Sequence, residues 1–220
     1  MKDISYTINK NDFMVILGSN GSGKTTMLKA ISGVIKKYSG HIKLFDKIEI
    51  KKCSNVSKHI GTMTQNPSDS LFMEFSLRQN LQMYCDAFFS EHKTEESFLD
   101  LLKTINPKLI ELLCKKTSSL SGGERQSFLL ALNLFFKRDL LLLDEHTSAL
   151  DPKTAREVMR ITSEKLKENN MTCIMTTHSL DDALKYGNRL IAMQNGRIIK
   201  TFDEQEKYSL SKADLLDYCY

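Results

Sequence analysis

The sequence predicts an α/β fold whose core is a parallel sheet. Phe13–Leu17, Leu140–Leu143 and Thr172–Thr176 are short runs of mainly apolar residues, which is the pattern of strands buried on both faces of a sheet. Long helix-compatible segments precede the second and third runs, and a helical pattern follows the first. Strands that alternate with helices in this way are typical of a parallel sheet.

Local signals mark where helices of this core begin and end. The first helix starts near Thr25, after a glycine-rich segment. Asp151 can cap the free N–H groups of a later helix, and Pro152 fits its first turn. Asn169 and Asn170 mark the end of that helix. The sequence therefore predicts one long helix between the second and third apolar runs.

The last part of the chain predicts a further helix and a hairpin. Ser179–Asp182 resembles a capping box with Asp in place of Glu, and Gly187 can close that helix. Arg189–Gln194 and Arg197–Thr201 flank the dipeptide Asn195-Gly196, a strong signal for a two-residue hairpin turn. A small antiparallel β element is therefore expected, and the last residues, Leu210–Tyr220, are expected to form a short terminal helix or a frayed end.

A helical insertion is expected in the middle of the chain. Residues from about 68 to 118 lack strand patterns and contain three helix-compatible segments, Leu77–Phe89, Glu95–Thr104 and Lys108–Cys114. At 220 residues the chain is long enough for one well-packed domain. We therefore expect a single domain at residues 1–220, with a helical subdomain at about 68–136 inserted between two strands of the core.

Composition and charge exclude several classes of function. The formal net charge is +4 and the basic residues form no long block, so no nucleic-acid partner is expected. The five cysteines lack the CxxC spacing of zinc sites and are interpreted as reduced thiols. The longest apolar stretch, Phe128–Phe136, has about half the length that spans a bilayer. The first residues lack the apolar core of a signal peptide, so we expect a cytoplasmic protein.

The glycine-rich segment Gly18–Thr25 reads GSNGSGKT and fits the phosphate-binding loop pattern G-x-x-x-x-G-K-[ST]. It lies between a predicted strand and a predicted helix, as such a loop requires. Glycines let backbone N–H groups point at phosphate, Lys24 neutralises phosphate charge, and the Thr25 hydroxyl can bind Mg²⁺. The residues expected to bind nucleotide here are Gly18, Ser19, Asn20, Gly21, Ser22, Gly23, Lys24, Thr25 and Thr26.

Two acids, Asp144 and Glu145, follow the apolar run Leu140–Leu143. Ligands of open α/β sheets bind at the carboxyl ends of the strands. Asp144 suits the Mg²⁺ shell, and Glu145 is placed to orient and deprotonate an attacking water. Taken alone, the two acids could instead cap the next turn. Together with the phosphate-binding loop, they predict a site that hydrolyses nucleoside triphosphates.

The segment Leu120–Glu124, LSGGE, indicates which class of nucleoside triphosphatase this is. Ser121, Gly122 and Gly123 would open a helix whose N–H groups can hold an anion, although a capped helix with glycines for close packing has the same pattern. LSGGE resembles the signature motif of the ATP-binding-cassette (ABC) family, with Glu124 where Gln is frequent. The resemblance implies a P-loop NTPase core that hydrolyses ATP with Mg²⁺ as cofactor.

Further residues match motifs of this family in their order along the chain. Gln65 resembles the glutamine that contacts Mg²⁺ and water, and His178 resembles the histidine that contacts the γ-phosphate, although such residues taken alone are more often structural. Asp151 lies in a segment that resembles the loop crossing to a second subunit. By resemblance, the catalytic residues are Glu145, His178, Lys24 and Gln65, the further nucleotide-binding residues are Ser121, Gly122, Gly123 and Asp151, and the metal-binding residues are Thr25, Gln65 and Asp144.

The family resemblance also implies partners. Two cassettes pair head to tail, as a homodimer or with a related cassette, and each ATP lies between one phosphate-binding loop and the partner's signature motif. Opening and closing of the pair moves membrane-spanning permease subunits, which places the chain on the inner face of the cell membrane. The permease contact is expected near Pro67–Asn80. A separate substrate-binding protein is also expected.

The chain departs from the family pattern at its start. ABC cassettes usually begin with a further strand and a loop that carries an aromatic residue stacked on adenine. Here Met1–Ser5 already resembles the segment that follows this loop. Tyr6 is the nearest aromatic residue, and we interpret it as a packing residue of a strand at Ile4–Ile8. Weak ATP affinity is therefore expected, unless the native start lies upstream.

A second departure is His146, which stands where the family commonly has Pro. Together with the segments Asp151–Ala155 and Tyr186–Leu190, this variant resembles the ATPase of a bacterial tryptophan/tyrosine-type importer. The resemblance implies amino acids or a related small solute as the transported substrate. Alternatives are a soluble ABC ATPase acting outside transport, an export-type subunit and a non-hydrolysing regulatory subunit. Glu145, His178 and Lys24 argue against the regulatory subunit.

Overall fold

The computed structural model describes residues 1–36, 38–44, 48–50, 55–88, 94–148 and 150–218. The chain packs as two compact units. The first contains Met1–Thr62, Asp139–Glu145 and Asn170–Tyr220, and the second contains Met63–Arg138 and His146–Asn169. The single domain with an insertion at about 68–136 stays a prediction.

The core of the first unit is a mostly parallel sheet, as predicted. The strands of the chain are β1 (Phe13–Leu17), β2 (Lys43–Leu44), β3 (Ile48–Glu49), β4 (Ile60–Met63), β5 (Leu140–Asp144), β6 (Thr172–Thr177), β7 (Arg189–Gln194) and β8 (Arg197–Phe202). The six-stranded sheet has the order β4-β5-β6-β1-β7-β8. β6 pairs in parallel with β5 and β1, and β1 pairs in parallel with β7. β2 and β3 form a separate antiparallel pair.

The predicted hairpin is confirmed by the antiparallel pairing of β7 and β8. Its turn residues Asn195 and Gly196 have φ values of 50° and 75°, the left-handed conformation that two-residue hairpins of this kind require. The amide of Gly196 donates to the carbonyl of Ser22 at 2.8 Å, and the carbonyl of Gly196 accepts from the amide of Lys2 at 2.9 Å. The turn therefore links the amino-terminal segment to the glycine-rich loop.

One face of the sheet packs on α1 (Lys24–Ile31). Alternate residues of the strands, including Met14 and Ile16 of β1, form a buried cluster with Met27 and Leu28 of this helix. Strand residues two apart point to the same face of a sheet, and neighbouring residues point to opposite faces. An uninterrupted apolar run therefore places apolar side chains on both faces.

The predicted strand at Ile4–Ile8 is wrong, because these residues form no part of either sheet. Ile4, Tyr6 and Ile8 are partly buried and pack against the core cluster, whereas Ser5 and Thr7 are exposed. The alternation that suggested a strand comes from this packing and not from ladder hydrogen bonds. Tyr6 is a packing residue, as interpreted.

The second unit is helical. Its helices are α2 (Leu77–Ala87), α3 (Glu95–Ile105), α4 (Gly122–Phe135) and α5 (Pro152–Glu168). The ring of Phe98 meets Phe128 and Phe135 edge to face, at centroid distances of 5.9 and 5.3 Å, an arrangement that favours close packing of α3 on α4. Asp151 caps α5, as predicted, by accepting from two backbone amides. The predicted end of α2 at Phe89 lies outside the described residues.

The helix-compatible segment Lys108–Cys114 is helical only in part and forms no α-helix. A short 3-10 helix at Pro107–Ile110 is followed by turns. Leu109 and Leu113 are buried, and their spacing of four suggested an α-helix. The backbone bonds connect residues three apart instead, such as Leu112 N to Leu109 O at 3.1 Å, which is the 3-10 pattern.

Three shorter helices complete the first unit in the described part of the chain: α6 (Leu180–Lys185), α7 (Glu204–Tyr208) and α8 (Lys212–Leu216). Ser179 caps α6, as predicted. Across the described ranges, no helix is long and apolar enough to cross a membrane. Cys85, Cys114 and Cys173 are free thiols, whereas Cys53 and Cys219 lie outside the described residues.

Candidate nucleotide-binding and hydrolysis site

The loop between β1 and α1 has a conformation that depends on its glycines. Gly21 and Gly23 have φ values of 82° and 105°, which residues with a Cβ rarely adopt. A Cβ on Gly18 would collide with the carbonyl oxygen of Met193 and with Ser22 Oγ. The glycines of the motif therefore permit the backbone path that this loop follows.

The start of α1 is suited to bind an anion. Among the described residues, no side chain caps this helix, and its first turn contains no acid. Thr25 and Thr26 are exposed in that turn. Ser22 Oγ is buried and has no hydrogen-bond partner among the described residues. Backbone N–H groups and the helix dipole attract negative charge here, so the loop fits the phosphates of a nucleotide.

Lys24 brings a buried positive charge to the loop. Its side chain is 5% exposed, and its ammonium group lies 3.4 Å from Glu145 Oε1. The same ammonium donates to the carbonyls of Gly18 at 2.7 Å and Ser19 at 3.2 Å. The carbonyls hold the ammonium beside the loop, where it can neutralise phosphate charge.

The two acids lie at the carboxyl end of β5, beside Thr176 of β6. The Thr176 hydroxyl donates to Asp144 Oδ1 at 2.6 Å and accepts from the Glu145 amide at 3.2 Å. Glu145 has a φ of 45°, which is unusual for a residue other than glycine. Thr176 was not among the predicted site residues, because its contact with the acids depends on the register of β5 and β6.

His178 follows β6 and completes a group of three side chains. Its Nδ1 lies 3.2 Å from Glu145 Oε2, and the exposed fractions of the two side chains are 61% and 13%. Glu145 therefore contacts Lys24 through one carboxylate oxygen and His178 through the other. The first unit brings together the glycine-rich loop, Asp144, Glu145 and His178, which were all predicted site residues.

The other predicted site residues belong to the second unit. Gln65 is exposed, and its backbone carbonyl accepts from Gln126 Nε2 at 3.5 Å. Ser121 caps α4, and its side chain accepts from the Glu124 amide. Gly122 and Gly123 form the first turn of α4.

Glu124 gives the start of α4 a different charge from the start of α1. Its carboxylate accepts from the Ser121 amide at 2.8 Å and pairs with Lys108 Nζ at 2.7 Å. The hydrogen bond from Lys108 is the main cause that lowers the pKa of Glu124 below its usual value. A carboxylate and an ammonium group therefore lie together beside Ser121.

Asp151 and His146 also lie in the second unit. Asp151 Oδ1 accepts from the amides of Lys153 and Thr154, each at 3.1 Å, and bonds with Thr154 are the main cause that lowers its pKa. His146 is 1% exposed, and its Nε2 has no hydrogen-bond partner in the described part of the chain. Burial lowers the pKa of His146 from 6.5 to about 4, so the ring is neutral at pH 7.

The donor set of the first unit suits a magnesium ion held partly by phosphate. Among the described residues, no group of three or more His, Cys, Asp or Glu side chains could hold a metal. Asp144 is buried at the strand end and Thr25 is exposed at the start of α1. Mg²⁺ typically keeps several waters and binds one or two protein oxygens together with substrate phosphates.

A scan against protein-family models gives the family. The model described as ABC transporter matches residues 1–148. The chain belongs to the ABC transporter family. A second model, that of an AAA domain, matches residues 116–181. The predicted P-loop fold and the prediction of an ATP-hydrolysing ABC cassette are confirmed.

Two curated ABC relatives cover nearly all of this chain. The tyrosine transport ATP-binding protein of Clostridioides difficile (strain R20291) is 36% identical, with 98% of this chain and 89% of that protein covered. The energy-coupling factor transporter ATP-binding protein EcfA of Malacoplasma penetrans (strain HF-2) is 32% identical, with 95% and 72% covered. Both relatives are ATP-binding subunits of transporters.

Two solved ABC structures have a similar fold. The dimeric structure of MJ0796, a bacterial ABC transporter cassette, has a TM-score of 0.80 and 25% identity, with 93% of this chain and 90% of that chain covered. CbiO1 from Clostridium perfringens, part of the ABC transporter complex cbiONQ, has a TM-score of 0.77 and 28% identity, with 97% and 85% covered. These ABC proteins are described as a dimer and as part of a transporter complex.

Proposed function

We propose that this ABC ATPase powers the import of an amino acid or a related small solute, with ATP hydrolysed by the group around Glu145. The observation that carries the hydrolytic role is the contact of Glu145 with both Lys24 and His178, at 3.4 and 3.2 Å, beside the phosphate-binding loop. A carboxylate held between two such groups at the end of a buried strand is well placed to activate a water that attacks a γ-phosphate.

Each member of this group has a distinct proposed role. The loop from Gly18 to Thr26 binds the phosphates through backbone N–H groups, and Lys24 neutralises their charge. Glu145 accepts the proton of the attacking water, and His178 orients Glu145 through the bond to Oε2. When bound, Mg²⁺ would neutralise charge on the phosphate oxygens, with Thr25 and Asp144 of the first unit as protein ligands.

The proposed dimer gives roles to the residues of the second unit. Ser121, Gly122 and Gly123 would meet the ATP bound to the partner subunit, and Asp151 would line the same interface. The dimeric description of a cassette with a similar fold supports this arrangement. The start of α4 fits the role, because its N–H groups and dipole attract phosphate.

A permease contact is proposed at Pro67–Asn80. Phe72 and Phe75 are 51% and 39% exposed, and their rings stack with a centroid distance of 5.5 Å. Exposed aromatic side chains are enriched at the centres of protein interfaces. The contact would attach this chain peripherally to the inner face of a membrane. A separate substrate-binding protein, expected from the sequence, is not supported by the relatives and is not part of this proposal.

Tyrosine is the first substrate to test, because one relative is described as a tyrosine transport protein. The chain would be purified together with the membrane proteins encoded beside it and reconstituted in vesicles. ATP-dependent uptake of labelled tyrosine, competed by tryptophan, is the expected result. Uptake of neither amino acid would remove the substrate proposal and leave the ATPase assignment unchanged.

Hydrolysis and dimer formation are tested with Glu145→Gln. We expect the variant to lose ATP turnover by a factor of about a thousand and to elute as a dimer with ATP and Mg²⁺ in gel filtration. Glu168→Gln, which changes an exposed carboxylate in α5, serves as the control with normal turnover. Turnover that persists in Glu145→Gln would contradict the proposed role of Glu145.

A further inference from the structure

A single hydroxyl group connects the two acids of the candidate site. Thr176 lies on β6 directly beside Asp144 in the register of the parallel pair, and it is 1% exposed. The hydroxyl donates to Asp144 Oδ1 at 2.6 Å and accepts from the Glu145 amide at 3.2 Å. Because a hydroxyl has one hydrogen to donate, its donor capacity is fully used by Asp144.

We infer that Thr176 is a positioning residue that sets the carboxylate of Asp144 and the backbone of Glu145 for the reaction. The inference rests on the roles proposed above for the two acids. The inferred role of Thr176 is to place the two acids, because its buried hydroxyl contacts both of them.

The hydrogen bond to Asp144 orients a buried carboxylate. Asp144 is 7% exposed, and the short bond to Oδ1 is of the charge-assisted kind, which is stronger than a bond between neutral groups. It restricts rotation of the carboxylate and leaves Oδ2 outside this bond. Thr176 thus determines how Asp144 is presented to a metal or to a metal-bound water.

The hydrogen bond from Glu145 supports an unfavourable backbone conformation. Glu145 has a φ of 45°, and a residue with a side chain keeps such a value only when its surroundings hold it there. The bond from its amide to Thr176 is one such restraint. Loss of this bond would let the Glu145 backbone relax and move its carboxylate away from Lys24 and His178.

The same strand offers a matched control in Thr172. Thr172 is 7% exposed, and its hydroxyl accepts from the amide of Asn11 at 3.0 Å. Asn11, like Glu145, has a positive φ, of 67°. Thr172 therefore makes the same kind of bond in the same strand, but at the amino end, away from the acids.

The experiment compares Thr176→Val, Thr176→Ser and Thr172→Val. We expect Thr176→Val to lower kcat about tenfold or more with little change in KM, which is the sign of an interaction needed mainly in the transition state. Thr176→Ser keeps the hydroxyl and should retain kcat within about threefold. Thr172→Val should retain kcat even where its melting temperature falls as much as that of Thr176→Val.

A binding measurement separates placement from general loss of structure. The affinity of a non-hydrolysable ATP analogue is measured by calorimetry with Mg²⁺ and without it. In Thr176→Val, the gain in affinity from Mg²⁺ should be smaller than in the wild type, whereas binding without Mg²⁺ should be no weaker than in the wild type. Thr176→Ala removes the same two bonds and replaces Thr176→Val if that variant does not fold.

Two results would overturn the inference. The first is a Thr176→Val protein with the wild-type kcat and the wild-type gain in nucleotide affinity from Mg²⁺. The second is an equal loss of kcat in Thr172→Val, because the effect would then come from weakening β6. Failure of the proposed function is distinguishable, because wild-type turnover would then be absent or would survive in Glu145→Gln.

Discussion

Lys24 Nζ lies 3.4 Å from Glu145 Oε1, and the two side chains are 5% and 13% exposed. The cation expected to bind phosphate and the carboxylate expected to activate water thus form one ion pair. A phosphate group bound by the loop would compete with Glu145 for the same ammonium. Its own negative charge would also be repelled by the Glu145 carboxylate.

Removal of the Glu145 charge should therefore strengthen nucleotide binding as well as stop hydrolysis. We expect Glu145→Gln to bind a non-hydrolysable ATP analogue about fivefold more tightly than the wild type, the equivalent of about 1 kcal/mol. Titration calorimetry measures this change, with Glu168→Gln as the control. Equal or weaker binding by Glu145→Gln would show that the ion pair does not oppose the nucleotide.

Lys108 should matter for turnover because it neutralises Glu124 at the start of α4. If this helix start receives the partner's ATP, an uncompensated carboxylate there would repel phosphate. We expect Lys108→Gln to lower ATP turnover about fivefold at low salt, whereas Glu124→Gln leaves it unchanged. The double variant should regain wild-type turnover.

The alternative is that the Lys108–Glu124 ion pair only holds the local structure together. In that case Lys108→Gln, Glu124→Gln and the double variant would all lose the same activity. Turnover measured at rising salt gives a second criterion. Because screening weakens repulsion between exposed charges, the deficit of Lys108→Gln should shrink as the salt concentration increases.

Buried His146 should make the protein sensitive to acid. Burial lowers its pKa from 6.5 to about 4, so the unfolded chain takes up a proton over this range while the folded chain does not. His146 should therefore lower the free energy of unfolding by up to about 1.4 kcal/mol per pH unit as the pH falls from 6.5 to 4. Urea unfolding at several pH values measures the slope.

The control for this slope is His41→Gln, which changes an exposed histidine. His146→Gln should lose most of the pH dependence between 6.5 and 4, because the group that binds the extra proton in the unfolded state is gone. If His146→Gln and the wild type lost stability in parallel as the pH fell, His146 would not be the cause.

The parallel core and the hairpin could be predicted because their signals are local. The apolar run Phe13–Leu17 coincides with β1, and Asn195-Gly196 forms the expected turn. Burial and turn conformation depend on residues that are neighbours in the sequence. The same holds for Asp151, whose cap on α5 follows from its place before a proline.

The errors arose where one pattern fits two structures. Alternating burial at Ile4–Ile8 comes from packing on the core cluster without pairing to a strand. Leu109 and Leu113 have helical spacing but lie in successive tight turns. In both segments the hydrophobic pattern indicates which side chains are buried and leaves the backbone hydrogen bonds undetermined.

Thr176 could not be recognised from the sequence for a different reason. Its contacts with Asp144 and Glu145 join residues 32 and 31 positions apart, and they depend on the register of two parallel strands. A one-residue shift of β6 would turn Thr176 to the other face. The sequence motifs identify Asp144 and Glu145. The hydroxyl that holds them in place becomes visible only when the pairing of β5 and β6 is known.

The link from Lys2 through Gly196 to Ser22 has a practical consequence for biochemistry on this protein. An affinity tag fused before Met1 would end two residues before Lys2, whose amide bonds to the Gly196 carbonyl, and the Gly196 amide bonds in turn to Ser22 of the phosphate-binding loop. Strain from such a fusion would reach Ser22 through only two hydrogen bonds. Kinetic constants should therefore be measured on protein tagged at the other terminus, or after the amino-terminal tag has been cleaved.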